Sequence, residues 1–231
     1  MQIDDILSYM EMLNEEKLQS LQRWMNYRIK NNYSIILMSR KSNALYNDKI
    51  LNDWITLEYE WHDAPKKIWI EPKKIDQQKY SDKWTLTQNW KFIESIEKYK
   101  IDKKNNLPEV VKVYEKILSW IWSFKGYFEL IDYKIENDWT RNVFKYILKL
   151  SENYNDNSNQ KSEIIHNRII PSEVKKEVWK RDKWECVLCW SKKNLHFDHE
   201  LPFSKWWTSV SVKNIRLLCM VCNLKKSDKI E

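Results

Sequence analysis

The feature that most limits how this chain can fold is its content of one glycine in 231 residues. Average usage of about 7% glycine would give roughly 16. Glycine adopts positive φ without steric cost, so a chain of this length normally depends on it for its tight turns. The chain also contains 14 tryptophans, and many of them stand where turn sequences carry glycine.

Several tryptophans follow short polar stretches that are typical of turns. The stretches "NDW" (twice) and "QNW" become Asp-Gly or Asn-Gly turn sequences when glycine replaces tryptophan, and "DKW" also occurs twice. Another tryptophan directly follows a CxxC, and an adjacent pair ends a polar loop. These residues are Trp54, Trp84, Trp90, Trp139, Trp184, Trp190, Trp206 and Trp207.

We interpret most of these positions as glycine in the cell, encoded by UGA in a lineage that reads UGA as glycine. Glycine and tryptophan together make fifteen residues, which is close to an ordinary glycine count. Trp122 and Trp179 have the neighbours of core positions and are expected to be true aromatics. The alternative is a chain that uses tryptophan at these places, for example to stack on bases.

The net charge of +7 is concentrated in the C-terminal third. Residues 160–231 contain 15 Lys and Arg against 9 Asp and Glu, whereas residues 1–159 contain 25 against 24. The same third holds all four cysteines and three of the four histidines. A basic excess beside metal-ligand residue types favours nucleic acid as a partner. A solvated, lysine-rich surface is the alternative, and charge alone does not separate the two.

The sequence contains no apolar run of about 18 residues, the length that would span a bilayer. Its first residues lack the basic-then-apolar layout of a signal peptide. We therefore expect a cytoplasmic protein with no membrane partner. Thiols stay reduced in that compartment, so the four cysteines are predicted to be metal ligands rather than disulfides.

Apolar spacing and turn residues divide the chain into four regions. Residues 1–31 are predicted to form an N-terminal helix, because apolar residues recur every three or four positions over residues 2–29. Residues 32–150 contain short strands and one helical segment. Residues 151–163 have few apolar groups and are predicted to be a linker, and residues 164–231 form a small cysteine-bearing domain. The predicted fold class is α+β.

The last region has the order helix, strand, loop, strand, helix, with a CxxC on each side of the strand pair. "PSEVKKEVWKRD" and "CNLKKSDKI" predict the helices, and "NLHFDH" and "NIRLL" predict the strands. Four thiolates at this spacing form a closed tetrahedral zinc site, which would staple a domain with a thin core. A zinc ribbon that binds without catalysis also fits the cysteine spacing. The predicted ligands are Cys186, Cys189, Cys219 and Cys222.

Residues 171–230, from "CVLC" through "HFDHELPFSKWW" to "KNIRLLCMVCNLKKS", resemble the HNH endonuclease family with its ββα-metal fold. That family carries glycine after the first CxxC and in the loop after D-H-x-x-P. This chain has tryptophan at both places, which favours the glycine interpretation from a second direction.

The HNH resemblance implies a role for each residue of the motif. His199 would be the general base that activates water, while Asp198 and Asn223 would hold one Mg²⁺ or Mn²⁺ ion. Asn214 would brace the loop and orient His199. Many family members have histidine where this chain has Asn223. The residues expected to contact DNA phosphates are Lys225, Lys226 and Lys229.

Residues 34–150 resemble SRA (YDG-type) domains. The stretch "YEWHD", read with glycine in place of tryptophan, is followed by "LTQNW", "FKGYFELIDY" and "TRNVFKYIL". Such domains grip DNA and flip a modified cytosine into an aromatic-lined pocket. The resemblance implies that Tyr59, His62 and Asp63 line that pocket. The alternative for each residue is an ordinary position of a β scaffold.

Together, the two resemblances predict a metal-dependent endonuclease that hydrolyses phosphodiester bonds in double-stranded DNA carrying modified cytosine, as in modification-dependent restriction. One alternative is an HNH nuclease whose N-terminal domain reads DNA sequence or structure. Another is a zinc-stapled DNA-binding protein without cleavage. Cutting both strands with one site per chain would favour a homodimer.

Overall fold

The structure is a computed structural model that describes residues 3–21, 24–29, 32–40, 46–51, 55–60, 63, 71–81, 83–151, 170–199 and 212–226. Its strands are β1 Ile6–Ser8, β2 Met25–Asn26, β3 Ser34–Met38, β4 Lys49–Ile50, β5 Thr56–Glu60, β6 Glu109–Leu118, β7 Ile121–Asn137, β8 Asn142–Leu150, β9 Leu195–His199 and β10 Ile215–Cys219. Its helices are α1 Tyr9–Glu15, α2 Gln88–Ile101, α3 Ser172–Arg181 and α4 Met220–Lys226. The predicted α+β fold class is confirmed.

The chain forms two compact units. The first contains Met1–Ser20, Tyr114–Gly126 and Glu152–Glu231, and the second contains Leu21–Val113 and Tyr127–Ser151. The predicted nuclease domain, residues 164–231, therefore belongs to a unit that also includes two segments from earlier in the chain. Of the predicted linker, residues 151–163, only Ser151 is among the described residues.

The β-rich part of the chain is an eight-stranded sheet with the order β2-β3-β6-β7-β8-β5-β4, and β1 pairs with β7. Strands β7 and β8 are antiparallel from Phe128↔Leu150 to Asn137↔Asn142. Helix α2 packs on the sheet, and its Phe92 ring lies 5.9 Å from that of Tyr146 on β8. Thr87 starts this helix because its hydroxyl accepts a hydrogen bond from the Trp90 N–H.

The predicted N-terminal helix is wrong in its extent. Ile6–Ser8 is a strand that pairs with β7, and the helix spans only Tyr9–Glu15. Ser8 and Glu11 form a capping box that fixes the start of the helix after the strand. Lys17 has a φ of 53°, which ends it. The apolar spacing that predicted a long helix combines a strand, a short helix and a turn.

The C-terminal region has the predicted order of elements. Strands β9 and β10 are antiparallel, from Leu195↔Cys219 to His199↔Ile215, and α4 follows β10 directly. Helix α3 contributes Val174 and Val178 to a core with the hairpin. The full buried cluster is Ile170, Val174, Val178, Trp179, Cys186, Leu195, Phe197, Ile215, Leu217, Leu218 and Cys219.

The tryptophans fall into two groups by backbone conformation. Trp122 and Trp179, predicted to be core aromatics, are 5% and 7% exposed. Trp90 lies in the first turn of α2 and packs edge-on against Phe144, so the predicted Asn-Gly turn there is wrong. Five of the described tryptophans have positive φ between 56° and 75°, and all are exposed: Trp84, Trp120, Trp139, Trp184 and Trp190.

Three tryptophans for which glycine was predicted, Trp54, Trp206 and Trp207, lie outside the described residues.

Within the described part of the chain, no helix combines the length and apolar character needed to cross a bilayer.

Candidate functional site

The four cysteines form one cluster in the first unit. Their sulfur atoms all lie within 4.8 Å of one another, and Cys189 Sγ lies 3.5 Å from Cys219 Sγ. Four sulfurs bound at 2.3 Å to a tetrahedral ion would be about 3.8 Å apart. The cluster therefore has the dimensions of a site that can hold one metal ion. The two CxxC turns bring the end of α3 and the start of α4 to that site.

The thiols of the cluster have strongly shifted acidities. Burial opposes ionisation of the Cys186 thiol, but backbone hydrogen bonds, led by that of Cys219, lower its pKa to about 7. Hydrogen bonds with Cys189 and Cys219 raise the pKa of Cys222 to about 12. Sulfurs this close do not all ionise side by side without a cation. A divalent cation would favour ionisation of all four thiols and bind the resulting thiolates.

The β9–β10 hairpin presents Asp198 on one face. Arg216 is its cross-strand partner, and Arg216 Nε lies 3.8 Å from Asp198 Oδ2. Lys226, at the end of α4, reaches the same oxygen at 2.5 Å and also donates to the carbonyl oxygen of His199. The Lys226 side chain is only 7% exposed. The Asp198 carboxylate therefore faces helix α4.

Helical spacing places Asn223 on the same side of α4 as Lys226, one turn earlier. That side is the one in contact with Asp198, so the structure brings this pair of predicted ligands to facing elements. Asn223 also follows Cys222 directly, so a metal at the cysteines would fix its position. Lys225 is exposed, and Lys229 lies outside the described residues.

His199 ends β9. By the alternation of the strand its imidazole lies on the face of Leu195 and Phe197, opposite that of Asp198, and its Nε2 atom is buried. Its backbone pairs with Ile215, and the preceding residue, Asn214, is 4% exposed. Asn214 therefore lies beside the end of β9, and the side chains of Asp198 and His199 lie on opposite faces of that strand.

Two of the candidate residues of the β-rich part are described: Tyr59 lies in β5, and Asp63 lies three residues after its end. Tyr59 is 4% exposed, so it is largely a core residue, and its hydroxyl donates to the carbonyl of Trp24 at 3.4 Å. Asp63 lies 2.6 Å from Arg141 and 3.4 Å from Lys73 in ion pairs. His62 lies outside the described residues.

Two neighbours of these candidates, Tyr46 and Asp48, were missed by the sequence reasoning. The buried Asp48 carboxylate accepts backbone N–H groups of Ser39 and Glu60 at 3.0 and 3.1 Å. Burial raises the pKa of Tyr46 to about 12. Burial, and then the charge of Asp48, raise the pKa of Tyr59 well above 10. In the sequence, the stretch "LYND" places an aromatic residue and an acid just ahead of a turn, and this pattern could have indicated Tyr46 and Asp48 as candidates.

The family model for HNH endonucleases matches residues 186–229. The matched segment contains the four cysteines, the hairpin and α4, so the resemblance predicted from the motif is confirmed for this part of the chain. No curated protein matches the chain.

Several solved structures are similar to the chain at low sequence identity. One is the SUVH5 SRA domain in complex with hemi-methylated CG DNA, at 20% identity over 65% of this chain and 88% of that one, with a TM-score of 0.44. Another is the modification-dependent TagI restriction endonuclease, at 13% identity over 97% of this chain and 76% of that one, with a TM-score of 0.44. A third is SUVH6 of Arabidopsis thaliana, at 18% identity over 77% of this chain and 29% of that one, with a TM-score of 0.43.

Proposed function

We propose that the protein is a metal-dependent DNA endonuclease that hydrolyses phosphodiester bonds. One observation carries the proposal: the segment that matches the HNH family holds a four-sulfur cluster next to a hairpin whose Asp198 faces the helix that bears Asn223. A binding module needs the sulfurs but gives no reason for a carboxylate that faces the helix with the second candidate ligand.

The ion at the four cysteines is proposed to be structural Zn²⁺. Thiolate sulfur is a preferred ligand of zinc, and four protein ligands leave no open position for water or substrate. The sulfur spacing fits tetrahedral coordination. The ion would hold β10 and the start of α4 against the turn after α3.

The second ion is proposed to be Mg²⁺ or Mn²⁺, held by Asp198 and Asn223. Both side chains offer hard oxygen atoms, and the Lys226 ammonium already shows that the Asp198 carboxylate accepts a cation from the side of α4. When bound, such an ion stabilises negative charge on phosphate oxygens and on the leaving oxygen. These residues fit such an ion because they offer carboxylate and amide oxygens from two elements, β9 and α4, that face each other.

His199 is proposed to be the general base that deprotonates the attacking water, since an imidazole titrates near neutral pH. In the structure its imidazole lies on the face of β9 opposite Asp198 and its Nε2 atom is buried, so the role requires this last side chain of the strand to turn toward the ion and the phosphate when they bind. Asn214, buried beside the end of β9, would orient it.

The substrate is proposed to be double-stranded DNA with a modified cytosine. The sequence resemblance to SRA domains supports this choice, and so does the grouping of Tyr46, Asp48 and Tyr59. A flipped base is read by stacking on aromatic rings and by hydrogen bonds to its edge. In this group the half-buried Tyr46 would supply the ring, and the buried Asp48 would position it through its bonds to the backbone of Ser39 and Glu60. Lys225 and Lys229 are proposed to contact phosphates, and cutting both strands would require two chains.

Cleavage of one plasmid in modified and unmodified forms, with Mg²⁺ or Mn²⁺, tests the proposal. We expect the wild-type protein to cut the modified form. His199→Ala should bind the same DNA but lose cutting by about 10²–10⁴-fold. His196→Ala, on the same strand, controls for loss of a histidine. Binding without cleavage by the wild type would leave a DNA-binding module, and equal cleavage of both plasmids would overturn modification-dependent targeting.

A further inference from the structure

The Lys226 side chain is a buried cation with fixed partners. Its ammonium bonds to Asp198 Oδ2 at 2.5 Å and to the carbonyl oxygen of His199, at consecutive residues of β9. The side chain is 7% exposed. A buried ammonium is stable only when oxygen acceptors surround it. Lys226 therefore holds both the carboxylate and the backbone at the end of β9.

A second cation lies beside the same carboxylate. Arg216 Nε is 3.8 Å from Asp198 Oδ2, with side chains 13% and 18% exposed. The negative charge of Asp198 is thus already balanced before any other ion approaches. A divalent cation that binds Asp198 has to do so next to two positive charges, and at these distances and this burial the repulsion is weakly screened.

We propose that Lys226 is a positioning residue that couples binding of the divalent ion to binding of DNA. It fixes Asp198 and the backbone of His199, and its charge keeps the affinity of the free protein for the ion low. Phosphate oxygens of DNA supply the negative charge that offsets this repulsion. The inference rests on the proposed nuclease function but makes a separate prediction about metal binding without DNA.

Titration of the zinc-loaded full chain with Mn²⁺, followed by electron paramagnetic resonance without DNA, tests the coupling. Lys226→Gln and Lys226→Met should bind Mn²⁺ at least about tenfold more tightly than the wild type, because one neighbouring charge is gone. Lys226→Arg keeps the charge and should bind as the wild type does. Lys225→Met removes the same charge at the adjacent, exposed residue and is the matched control.

Lys226→Gln and Lys226→Met should also cleave more slowly at saturating Mn²⁺ with an unchanged KM for DNA, because Asp198 and the backbone of His199 lose the hydrogen bonds that hold them. A residue with only a folding role would not raise metal affinity while it lowers the rate. If Lys226→Gln and Lys226→Met bind Mn²⁺ no more tightly than Lys225→Met, the inference is overturned. A wild type that never cleaves DNA would instead overturn the proposed function and leave the titration interpretable.

An independent observation concerns the tryptophans. Among the residues that the structure describes, ten non-glycine residues have positive φ and five of them are tryptophan, although a bulky side chain is strained in that region. Trp120 is the second residue of the two-residue loop between β6 and β7, where hairpins favour glycine. Trp184 closes the C-terminal cap of α3 through its N–H bond to the Trp179 carbonyl at 3.3 Å.

Exposure separates the same five from the rest. They are 57% to 98% exposed, with Trp139 the most exposed. The described tryptophans with negative φ, among them Trp122 and Trp179, are buried or half-buried. Core packing therefore explains tryptophan in the second group and offers no reason for it in the first.

We infer that positions 84, 120, 139, 184 and 190 are glycine in the protein made by its native host, through reading of UGA as glycine. The turn geometry supports this independently of the flanking sequence. Glycine at these places relieves left-handed strain and removes five exposed indoles, so the chain gains the turn residues that its length requires.

The gene and the native protein test this inference together. We expect UGA at the five codons and UGG at the codons for Trp122 and Trp179, and peptide masses from native cells should contain glycine at the five sites. UGG at the five codons, or native peptides with tryptophan there, would overturn it. In recombinant protein, glycine at the five sites should raise Tm, whereas Trp179→Gly should lower it; the opposite order would count against the inference.

Discussion

Asp5 Oδ1 lies 2.8 Å from His196 Nδ1, so the start of the chain contacts a strand of the β9–β10 hairpin 191 positions later. The two residues also form an isolated antiparallel bridge. The neighbouring Asp4 accepts hydrogen bonds from Lys175 of α3 and from Lys125 of β7 at 3.4 Å. The N-terminal segment is therefore part of the folded core of the first unit.

Replacement of Asp4 should destabilise this core strongly. Asp4→Asn leaves the ammonium groups of Lys175 and Lys125, both 0% exposed, without their shared carboxylate. Breaking a buried pair in this way costs about 3–5 kcal/mol of unfolding free energy. Chemical denaturation measures the loss. Asp5→Asn, at a less buried pair, should cost about 1 kcal/mol, and equal stability of the two variants would contradict the expectation.

Lys175 should make stability depend on alkaline pH. Burial, opposed by the attraction of Asp4, lowers its pKa from 10.5 to about 8. Between these values the unfolded state binds a proton at Lys175 that the folded state has lost, so unfolding free energy rises with pH. The stability of the wild type relative to Lys175→Met should therefore increase from pH 8 to about pH 10. Denaturation curves at several pH values measure this difference, and a flat difference would exclude it.

The sequence was sufficient for the parts of the site that are local in the chain. The two CxxC pairs, the alternation around Phe197 and the helix after Cys222 place the hairpin, the sulfurs and Asn223. These features depend on spacing within a few residues, and spacing is visible in one sequence. The same holds for the turns at Trp84, Trp139, Trp184 and Trp190, whereas the turn at Trp120 was not predicted.

The contacts that were missed join distant positions. Lys226 was expected to reach DNA phosphates, but its ammonium bonds to Asp198, 28 positions earlier. Asp4 and Lys175 are 171 positions apart. A single sequence carries no information on which buried charges pair. The long N-terminal helix was overpredicted because Ile6 and Leu7 of a strand happened to continue the helical spacing.

Removal of the proposed metal from the cysteine cluster should unfold the β9–β10 hairpin. The cluster is expected to release one zinc per chain to a chelator. Because Trp179 packs against Phe197 of the hairpin, its fluorescence should change when the hairpin unfolds. Cys222→Ser should have the same effect without chelator, and Val221→Ser, at an exposed neighbour, should keep the metal. Zinc release and tryptophan fluorescence measure both, and full stability without zinc would contradict a structural role.

Asp48 should control the choice between modified and unmodified DNA. Asp48→Asn replaces one acceptor oxygen by an amide donor beside two backbone N–H groups, which disturbs the group formed with Tyr46 and Tyr59. We expect the preference for modified DNA to fall by about tenfold or more, the equivalent of one lost hydrogen bond to a base edge. Competition binding measures this. Asp132→Asn, at an exposed carboxylate paired with Lys100, is the control and should keep the preference.

Substitutions at Asn223 should separate metal binding from DNA binding. Asn223→Ala removes the proposed oxygen ligand on the side of α4 that contacts Asp198. Cleavage should fall by about 10²–10³-fold, as when one stabiliser of transition-state charge is lost, while DNA affinity stays within about twofold. Asn223→His restores a ligand of a different type, so it should recover part of the rate and favour Mn²⁺ over Mg²⁺, because imidazole suits softer ions. Single-turnover cleavage with each ion measures the order. Equal rates for Asn223→Ala and the wild type would remove Asn223 from the site, and a matching loss of zinc would show that the variant acts through Cys222 instead.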